Sequence, residues 1–335
     1  MPASARSAPN IALIKYWGNR NNELRLPAAD SLSMTLDQPS VDITVDFADA
    51  MTVRSYENDG EERMLTDKQI ERLRKHLELT KRYLQKLGAA SAIPSAVSIT
   101  VRSAIPPSVG LASSAAVFSC LAKAYAGLIK EKITLTDEQN SIIARLGSGS
   151  AARSIFGGFA SLDAGTGDAI DAAVAKQIAL ASHWTLHDIV IIPSHDEKKV
   201  GSTEGHELAP TSPLFSARLE AIRTRRQQEC ISAILQRDFE KLQHVAEEDA
   251  LDMHHVMETS VPPLRYLTEE THRIVRAITD LRSKTALPML YTMDAGPTVH
   301  LICPEDAVDR VRDFAHEQDG CTIFEARVGE GASLL

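Results

Sequence analysis

The amino-acid sequence predicts an α+β fold with mixed sheets. Apolar residues recur at every second position in some segments, as in half-buried strands, and at every third or fourth position in others, as in helices. Strand patterns dominate residues 1–55 and return within residues 288–327, whereas helical patterns fill most of residues 213–283. This order lacks the regular strand–helix alternation of a doubly wound sheet, and it therefore indicates the α+β class.

Strands and then a helix are predicted for the first part of the chain. Alternation with polar neighbours marks two strands, and the alternating apolar residues are Leu32, Met34, Leu36, Val41, Ile43 and Val45. Residues 66–87 are typical of a helix, because Thr66 can cap its start and Gly88 can end it. Lys68, Arg72 and Lys75 form a basic stripe on this helix. A solvated face is the favoured interpretation of the stripe, and nucleotide contact is the less favoured one.

A tight turn rich in small residues follows. Residues 97–101 alternate as a strand, residues 115–130 have helical spacing, and "PPSVGLASSAA" (106–116) joins them. Small residues let a ligand approach the backbone, and a helix N-terminus favours an anion. On local chemistry a capped turn and a phosphate site are equally supported. The turn is not a Walker loop, because no Gly-Lys-Ser/Thr follows it.

The second half of the chain has a different pattern. A strand in "WTLHDIVIIP" (184–193) leads through a polar loop to the long helical stretches, and the chain closes with two strands, a helix over residues 305–318 and a last strand in "CTIFEAR" (321–327). We place a domain boundary near residue 183. Residues 1–183 are predicted to form an N-terminal ATP-binding domain and residues 184–335 a C-terminal domain.

The composition excludes several classes of function. The chain has 335 residues and a net charge of −9, which argues against a nucleic-acid partner. No apolar run reaches the length of a membrane span, and Lys15 interrupts the short apolar run near the N-terminus, so a cytoplasmic location is expected. The cysteines lack metal-type spacing and are interpreted as buried thiols. No metal site built from protein side chains is predicted.

Four separated stretches together resemble the GHMP kinase superfamily, and within it the mevalonate diphosphate decarboxylase branch. They are "APNIALIKYWG" (8–18), "PPSVGLASSAA" (106–116), "GSGSAARSIFGGF" (147–159) and "YTMDAGP" (291–297). The resemblance implies a GHMP kinase fold, with an N-terminal domain like ribosomal protein S5 domain 2, a ferredoxin-like C-terminal domain and a cleft between them. It also implies ATP as co-substrate, Mg²⁺, a small-molecule substrate and a homodimer, whereas the lack of a basic run in the sequence predicts no membrane partner.

The resemblance assigns catalysis to Asp294, Lys15 and Arg153. Enzymes of this branch phosphorylate a tertiary hydroxyl and then release phosphate and CO₂ to leave an alkene. Asp294 would take the hydroxyl proton or stabilise positive charge at C3, and the sequence does not separate these roles. Taken alone, Asp294 is more typical of a turn-forming residue. Arg153 would hold the substrate carboxylate through its planar fork.

Further residues would bind the two substrates. The resemblance predicts contact with the decarboxylated substrate for Asn10, Tyr16, Asn19, Ser148, Ser150 and Ser202. The tight turn would wrap the triphosphate of ATP through Pro107, Ser108, Gly110, Leu111, Ala112, Ser113 and Ser114.

Departures from the branch pattern bear on the substrate. Asn19 stands where the diphosphate-specific enzymes usually carry lysine, Ala29 and Asp30 replace the first residues of their "NSSLS", and Glu204 and Glu207 add negative charge. One lost charge-assisted contact is worth about 1.5–3 kcal/mol. These changes favour 5-phosphomevalonate as substrate, unless Arg20 or Arg25 replaces the lost lysine.

The predicted function is thus ATP-dependent decarboxylation of 5-phosphomevalonate to isopentenyl phosphate in isoprenoid biosynthesis by the mevalonate pathway. The alternative is diphosphomevalonate decarboxylation to isopentenyl diphosphate. A mevalonate 3-kinase is less favoured, because Asp294, Lys15 and Arg153 are all retained. A non-catalytic metabolite sensor of the same fold is less favoured still.

Overall fold

The computed structural model describes residues 1–105, 113–193 and 200–335. The strands are β1 (Ala3–Ser7), β2 (Asn10–Ile14), β3 (Asn19–Asn21), β4 (Leu26–Pro27), β5 (Ser31–Thr35), β6 (Val41–Ala48), β7 (Thr52–Glu57), β8 (Ala96–Ser103), β9 (Phe159–Asp163), β10 (Val174–Ala179), β11 (Leu186–Ile192), β12 (Leu290–Thr292), β13 (Val299–Pro304), β14 (Thr322–Arg327) and β15 (Ser333–Leu334). The helices are α1 (Asp67–Lys86), α2 (Ser113–Leu128), α3 (Asp137–Gly147), α4 (Ala151–Ser154), α5 (Ser202–Leu208), α6 (Phe215–Ala221), α7 (Gln227–Gln236), α8 (Phe239–Glu258), α9 (Glu269–Thr285) and α10 (Val308–His316), with a π-helical turn (Ile222–Arg226) between α6 and α7.

Two larger sheets and a two-stranded sheet, β3-β4, form the N-terminal half within the described residues. The larger has the strand order β15-β1-β6-β8-β7, and the smaller has the order β10-β9-β5-β2. The alternation at Val41, Ile43 and Val45 buries one face of β6 beneath α2. β2 and β5 are buried along their whole length, because other elements cover both faces of the smaller sheet. Their buried positions bring the residues of β2 next to the short helix α4.

The C-terminal half is built on an antiparallel sheet with the order β12-β13-β11-β14. Helices α9 and α10 pack on one face, where Ile274 and Val311 meet Leu301 of β13. Helices α7 and α8 cover the other face, and their apolar residues share a core with β2 and β5 of the smaller N-terminal sheet. This shared core holds α8 against β2, and the candidate active site lies along that junction.

Most predicted elements are confirmed. Helix α1 has Thr66 as N-cap in a capping box with Gln69, and Gly88 follows its end with a φ of +74°. The cysteines are free, and Cys120, Cys230 and Cys303 are buried as expected. One pairing was missed: β15 at the end of the chain joins β1, with Ala5 opposite Leu334. The boundary near residue 183 falls between β10 and β11 and stays a prediction.

Within the part of the chain that the structure describes, no helix combines the length and hydropathy that crossing a membrane requires.

A buried histidine on α1 leads to a prediction about acid stability. His76 lies against α3, with Nε2 2.9 Å from the carbonyl oxygen of Ile143, and burial lowers its pKa to about 4. Because the unfolded chain binds this proton at a pKa near about 6.5, His76 contributes stability in full above that pH and loses it as the pH falls toward about 4. Between these two pKa values, each unit by which the pH falls should therefore lower the free energy of unfolding by about 1.4 kcal/mol because of this group.

Denaturant unfolding at a series of pH values between about 6.5 and 4 measures this slope. His76→Gln keeps a hydrogen-bond donor for the carbonyl oxygen of Ile143. It should make the dependence of the unfolding free energy on pH shallower by the contribution of one proton, about 1.4 kcal/mol per pH unit. His316→Gln, at an exposed position on α10, is the control and should keep the parent slope. Equal slopes in the parent and His76→Gln would refute the prediction.

Candidate active site

A polar pocket lies where the end of β2 meets α5, α8, the 147–154 turn and the segment after β12. The described residues that line it are Asn10, Ala12, Lys15, Tyr16, Trp17, Arg25, Arg72, Ser114, Ser148, Gly149, Ser150, Arg153, Ser202, Thr203, His206, Met253, Asp294 and Ala295. The pocket brings together residues that are far apart in the chain.

An ion pair joins Lys15 to Asp294 in the wall of this pocket. Lys15 follows the last residue of β2, and Asp294 stands two residues beyond β12. The Lys15 Nζ lies 2.7 Å from Asp294 Oδ1. The Lys15 side chain is 1% exposed and that of Asp294 is 32% exposed, so the carboxylate is the member of the pair that reaches the open pocket.

Arg153 is held at a fixed orientation beside this pair. It lies on α4, is 1% exposed, and donates through Nε to Ser33 Oγ (2.9 Å), through Nη1 to Ser31 Oγ (2.5 Å) and through Nη2 to Asn10 Oδ1 (3.2 Å). A guanidinium has five N–H groups, so one remains on each terminal nitrogen. Burial lowers the pKa of Arg153 to about 10, although the nearby Asp294 carboxylate acts to raise it. The guanidinium therefore stays charged at neutral pH.

Hydroxyl groups line the wall next to Arg153. Asn10 Nδ2 donates to the carbonyl oxygen of Ser150 (3.0 Å) and to Ser154 Oγ (2.8 Å), which ties β2 to the 147–154 turn. The hydroxyl oxygens of Ser114 and Ser148 lie 3.0 Å apart, and those of Ser148 and Ser150 lie 3.3 Å apart. The serines thus present a continuous row of exchangeable donors.

Aromatic rings form the opposite wall. His206 stacks between Tyr16 and Trp17, with ring centroids 4.3 and 4.7 Å away, and its Nδ1 accepts a hydrogen bond from Gly18 N–H at 2.9 Å. Nε2 therefore carries the proton of the neutral ring. Burial lowers the pKa of His206 to about 3, so the ring stays neutral at physiological pH. Gly149 is required here, because a Cβ would lie 2.3 Å from the Tyr16 ring.

Two further arginines, Arg72 and Arg25, line the pocket. The predicted solvated face is wrong for Arg72, which donates through Nη2 to the carbonyl oxygen of Gly147 at 2.9 Å. The prediction holds for Lys68 and Lys75, which are exposed. Burial, and then the charge of Arg25, lower the pKa of Arg72 to about 10.

Arg25 is the pocket residue that was named only as a substitute for the missing lysine. It has a φ of +50° between β3 and β4, and burial lowers its pKa. Burial raises the pKa of the Tyr16 phenol, and the charges of Arg25, Arg145 and Arg153 act against this rise.

The positions at which the chain departs from the branch pattern lie mostly off the pocket wall. Asn19 is not among the described residues that line the pocket, but its Oδ1 accepts a hydrogen bond from the Tyr16 hydroxyl. Asp30 accepts from Ala164 N–H at 2.7 Å, and Ala29 packs against an apolar core. Neither lines the pocket as the structure describes it. The negative charge of Glu207 acts to raise the pKa of Arg25, whereas that of Glu204 acts to raise the pKa of Tyr266.

The predicted nucleotide loop lies largely outside the described residues. This applies to Pro107, Ser108, Gly110, Leu111 and Ala112. Ser113 is exposed at the first turn of α2, and Ser114 reaches the pocket. The described first turn of α2 holds no acidic side chain, and the N-terminus of a helix favours an anion.

The sequence signals for the missed pocket residues are weak. His206 follows "GSTEG", from which only Ser202 was selected, and Arg72 is one of several basic residues on α1. Ser31 and Ser33, which orient Arg153, have an ordinary strand pattern. These residues are recognisable only through their distance to Arg153, Tyr16 or Arg25.

The pocket has a strongly positive lining in a protein with a net charge of −9. Among the described residues of the lining, four are cationic, Lys15, Arg25, Arg72 and Arg153, and one is a carboxylate, Asp294. Cations converging on a partly buried cleft raise the local concentration of anionic ligands. Among residues 1–105, 113–193 and 200–335, no group of three or more His, Cys, Asp or Glu side chains has the geometry to hold a metal ion.

Comparison with known protein families gives two matches that together span most of the chain. Residues 7–173 match a family described as "Diphosphomevalonate decarboxylase-like N-terminal domain". Residues 188–322 match one described as "Mevalonate 5-diphosphate decarboxylase C-terminal domain".

Individual proteins agree with the family matches. Diphosphomevalonate decarboxylase from Ganoderma lucidum is 33% identical over 329 residues, which cover 92% of this chain and 80% of the relative. The structure of mevalonate diphosphate decarboxylase from Staphylococcus aureus has a TM-score of 0.88 at 29% identity and covers 100% of this chain and 98% of its own. A complex of MDDEF with MVAPP, AMPPCP and magnesium has a TM-score of 0.86 at 29% identity, and the match covers 100% of this chain and 99% of that one. The GHMP kinase fold is thereby confirmed.

Proposed function

The chain belongs to the diphosphomevalonate decarboxylase family, and from this premise we propose that it is an ATP-dependent carboxy-lyase acting on diphosphomevalonate. The products would be isopentenyl diphosphate, ADP, phosphate and CO₂. One observation supports this function above the others: the pocket combines the Lys15–Asp294 pair and a buried Arg153 with a second pair of cations, Arg25 and Arg72.

The reaction has two stages: phosphoryl transfer from ATP, and then loss of phosphate and CO₂. The tertiary 3-hydroxyl attacks the γ-phosphorus of ATP, the new P–O bond forms, ADP departs and the hydroxyl proton is lost. The C3–O bond then breaks and phosphate leaves with the bonding electrons. The C1–C2 bond breaks as CO₂ departs, and its electron pair becomes the C2=C3 double bond.

The residues that line the pocket would have separate roles in these stages. Asp294 would accept the hydroxyl proton or stabilise the positive charge that develops at C3, and Lys15 Nζ, 2.7 Å away, would orient the carboxylate. Arg153 would bind the C1 carboxylate with its two remaining N–H groups, and so align the C1–C2 bond for cleavage. Ser148, Ser150 and Asn10 would complete the substrate contacts around it.

ATP and Mg²⁺ would bind on the side of Ser114. The neighbouring family structure with AMPPCP and magnesium supports both groups. The hydroxyls of Ser114 and Ser148 suit phosphate oxygens or a magnesium ion, which usually keeps several waters and takes few protein ligands besides phosphate. When bound, Mg²⁺ would neutralise phosphate charge during phosphoryl transfer.

The diphosphate is favoured over the monophosphate by Arg25 and Arg72. Burial, and then repulsion by the charge of Arg25, lower the pKa of Arg72. An anion of high charge between them would relieve the repulsion. The relatives named above also support the diphosphate, which was the alternative in the sequence analysis, rather than the monophosphate that it preferred.

A second candidate substrate is 5-phosphomevalonate, and Asn19 is the observation that favours it. Asn19 holds the Tyr16 hydroxyl through a neutral amide where related enzymes place a cation. The experiment that distinguishes the candidates compares ADP and CO₂ release from mevalonate, its 5-phosphate and its 5-diphosphate. A higher kcat/KM for the diphosphate is expected. A parent protein that prefers the 5-phosphate would establish the second candidate instead.

Removing the Arg25 charge tests the phosphate end directly. Arg25→Gln should lower kcat/KM for the diphosphate by about ten- to a hundred-fold, because one charge-assisted contact is lost. The effect should decrease with added salt if the site is open to solvent. Arg20→Gln is the matched control in the same β3–β4 segment, because Arg20 bonds the carbonyl oxygen of Gly167 and does not line the pocket as described.

The control should retain the parent kcat/KM. An Arg25→Gln protein with unchanged use of the diphosphate would remove Arg25 from the substrate site. The homodimer and the cytoplasmic location stay predictions.

A further inference from the structure

The backbone of Lys15 is held by two charged side chains. β2 ends at Ile14, after a register shift against β5 between Ala12 and Ile14. Lys15 N–H donates to Asp249 Oδ2 at 2.7 Å, and its carbonyl oxygen accepts from Arg218 Nη2 at 3.3 Å. The peptide groups that leave the strand ladder are therefore satisfied from α6 and α8.

Arg218 and Asp249 also bind each other. Arg218 Nη2 lies 2.9 Å from Asp249 Oδ2, and both side chains are 0% exposed. Arg218 Nη1 donates to the carbonyl oxygen of Asp249 at 3.0 Å and to Asp252 Oδ2 at 3.2 Å. One guanidinium thus spans α8 and the end of β2. Moving two charges out of water costs several kcal/mol per ion, and a buried pair is therefore weak evidence of a gain in stability.

A third residue contacts the same cluster without reaching Lys15. Arg226 Nη1 lies 3.4 Å from Asp249 Oδ1, the oxygen that does not contact Lys15, and it also bonds Asp252. Arg226 is the last residue of the π-helical turn, and it lies eight positions after Arg218 in the chain. Arg226 is buried and charged like Arg218, and it serves as a matched control.

We propose that Arg218 and Asp249 are positioning residues for catalysis: they fix the Lys15 backbone so that its Nζ meets Asp294 at 2.7 Å. The inference rests on the proposed function, since it takes the Lys15–Asp294 pair as catalytic. Arg218 and Asp249 touch no substrate in this account. They act through Lys15, and they link two helices of the C-terminal half to a strand of the N-terminal half.

The test removes the pair as a unit. In Arg218→Met/Asp249→Leu, apolar side chains of similar size replace the ions, which avoids leaving one charge buried alone. We expect kcat to fall by about ten- to a hundred-fold, as for a misplaced catalytic group, with KM for both substrates within about two-fold of the parent. Amide hydrogen exchange in the peptide containing Lys15 should become faster. Arg226→Met should keep the parent kcat and the parent exchange rate.

Arg218→Lys covers the case in which the double variant does not fold. Its ammonium keeps the charge beside Asp249 but lacks the fork that reaches Asp249 and Lys15 together, so kcat should fall and exchange at Lys15 should rise. A folded variant with the parent kcat, a loss confined to KM, or an equal loss in Arg226→Met would overturn the proposal. An inactive parent would refute the proposed function instead, and the exchange rate at Lys15 would still test the contact.

Discussion

Replacing Asp294 by asparagine should abolish turnover while ATP binding is retained. Asparagine keeps the shape of the side chain, but it neither accepts a proton nor carries the negative charge that faces Lys15 across 2.7 Å. A positioned acid–base group contributes about 10²–10⁴-fold, and electrostatic stabilisation of developing charge can add to this. We expect a loss of at least about 10³-fold in kcat, measured as CO₂ release at saturating substrate.

The control for Asp294→Asn is Asp280→Asn, which makes the same chemical change at an exposed position on α9. It should keep the parent kcat. Circular dichroism and nucleotide titration establish that the Asp294 variant is folded and binds ATP, since Lys15 loses its ionic partner in the change. A kcat within a few-fold of the parent would exclude Asp294 from both of its proposed roles.

Arg153→Lys should have the second largest effect. The arginine is held by Ser31, Ser33 and Asn10, and its two remaining N–H groups form a fixed fork. Lysine keeps the charge but places it at one point, and it leaves three oxygen acceptors without their donors. A carboxylate that is no longer aligned should lower kcat/KM by about a hundred-fold or more.

Steady-state kinetics of Arg153→Lys separate alignment from general attraction. We expect kcat to fall, because the C1–C2 bond is misaligned even when substrate is bound. Arg276→Lys, on the exposed face of α9, makes the same change away from the pocket and should have no effect. An unchanged kcat/KM in Arg153→Lys would mean that the substrate carboxylate binds elsewhere.

Local elements of the fold could be predicted because their signals are local. Helix α1 begins after Thr66 since a threonine followed by glutamine at the third helical position forms a capping box. The strand and helix around the tight turn follow from alternation at Val97, Ile99 and Val101 and from helical spacing after Ala115. Each of these patterns is repeated within a few residues, so neighbouring positions report the same structure.

Site residues were predictable where a motif carries them. Lys15, Arg153 and Asp294 belong to short stretches that resemble a known family, and all three line one pocket. Arg72 lacks such a stretch. Its neighbours Lys68 and Lys75 are exposed, whereas Arg72 contacts Gly147 and lines the pocket. A stripe of basic residues on a helix does not indicate which member faces a cleft.

The sequence by itself determined the fold class, most helices and strands, and the residue types available for catalysis. The tertiary structure decided which of these residues meet. Lys15 and Asp294 are 279 positions apart, and Lys15 and Asp249 are 234 positions apart. Periodicity describes which face of an element is apolar, but it does not describe which element packs there. The contact of Arg72 depends on how α1 packs against α3, and those of Arg218 depend on how α6 and α8 meet the end of β2, so this packing is a property of the whole chain.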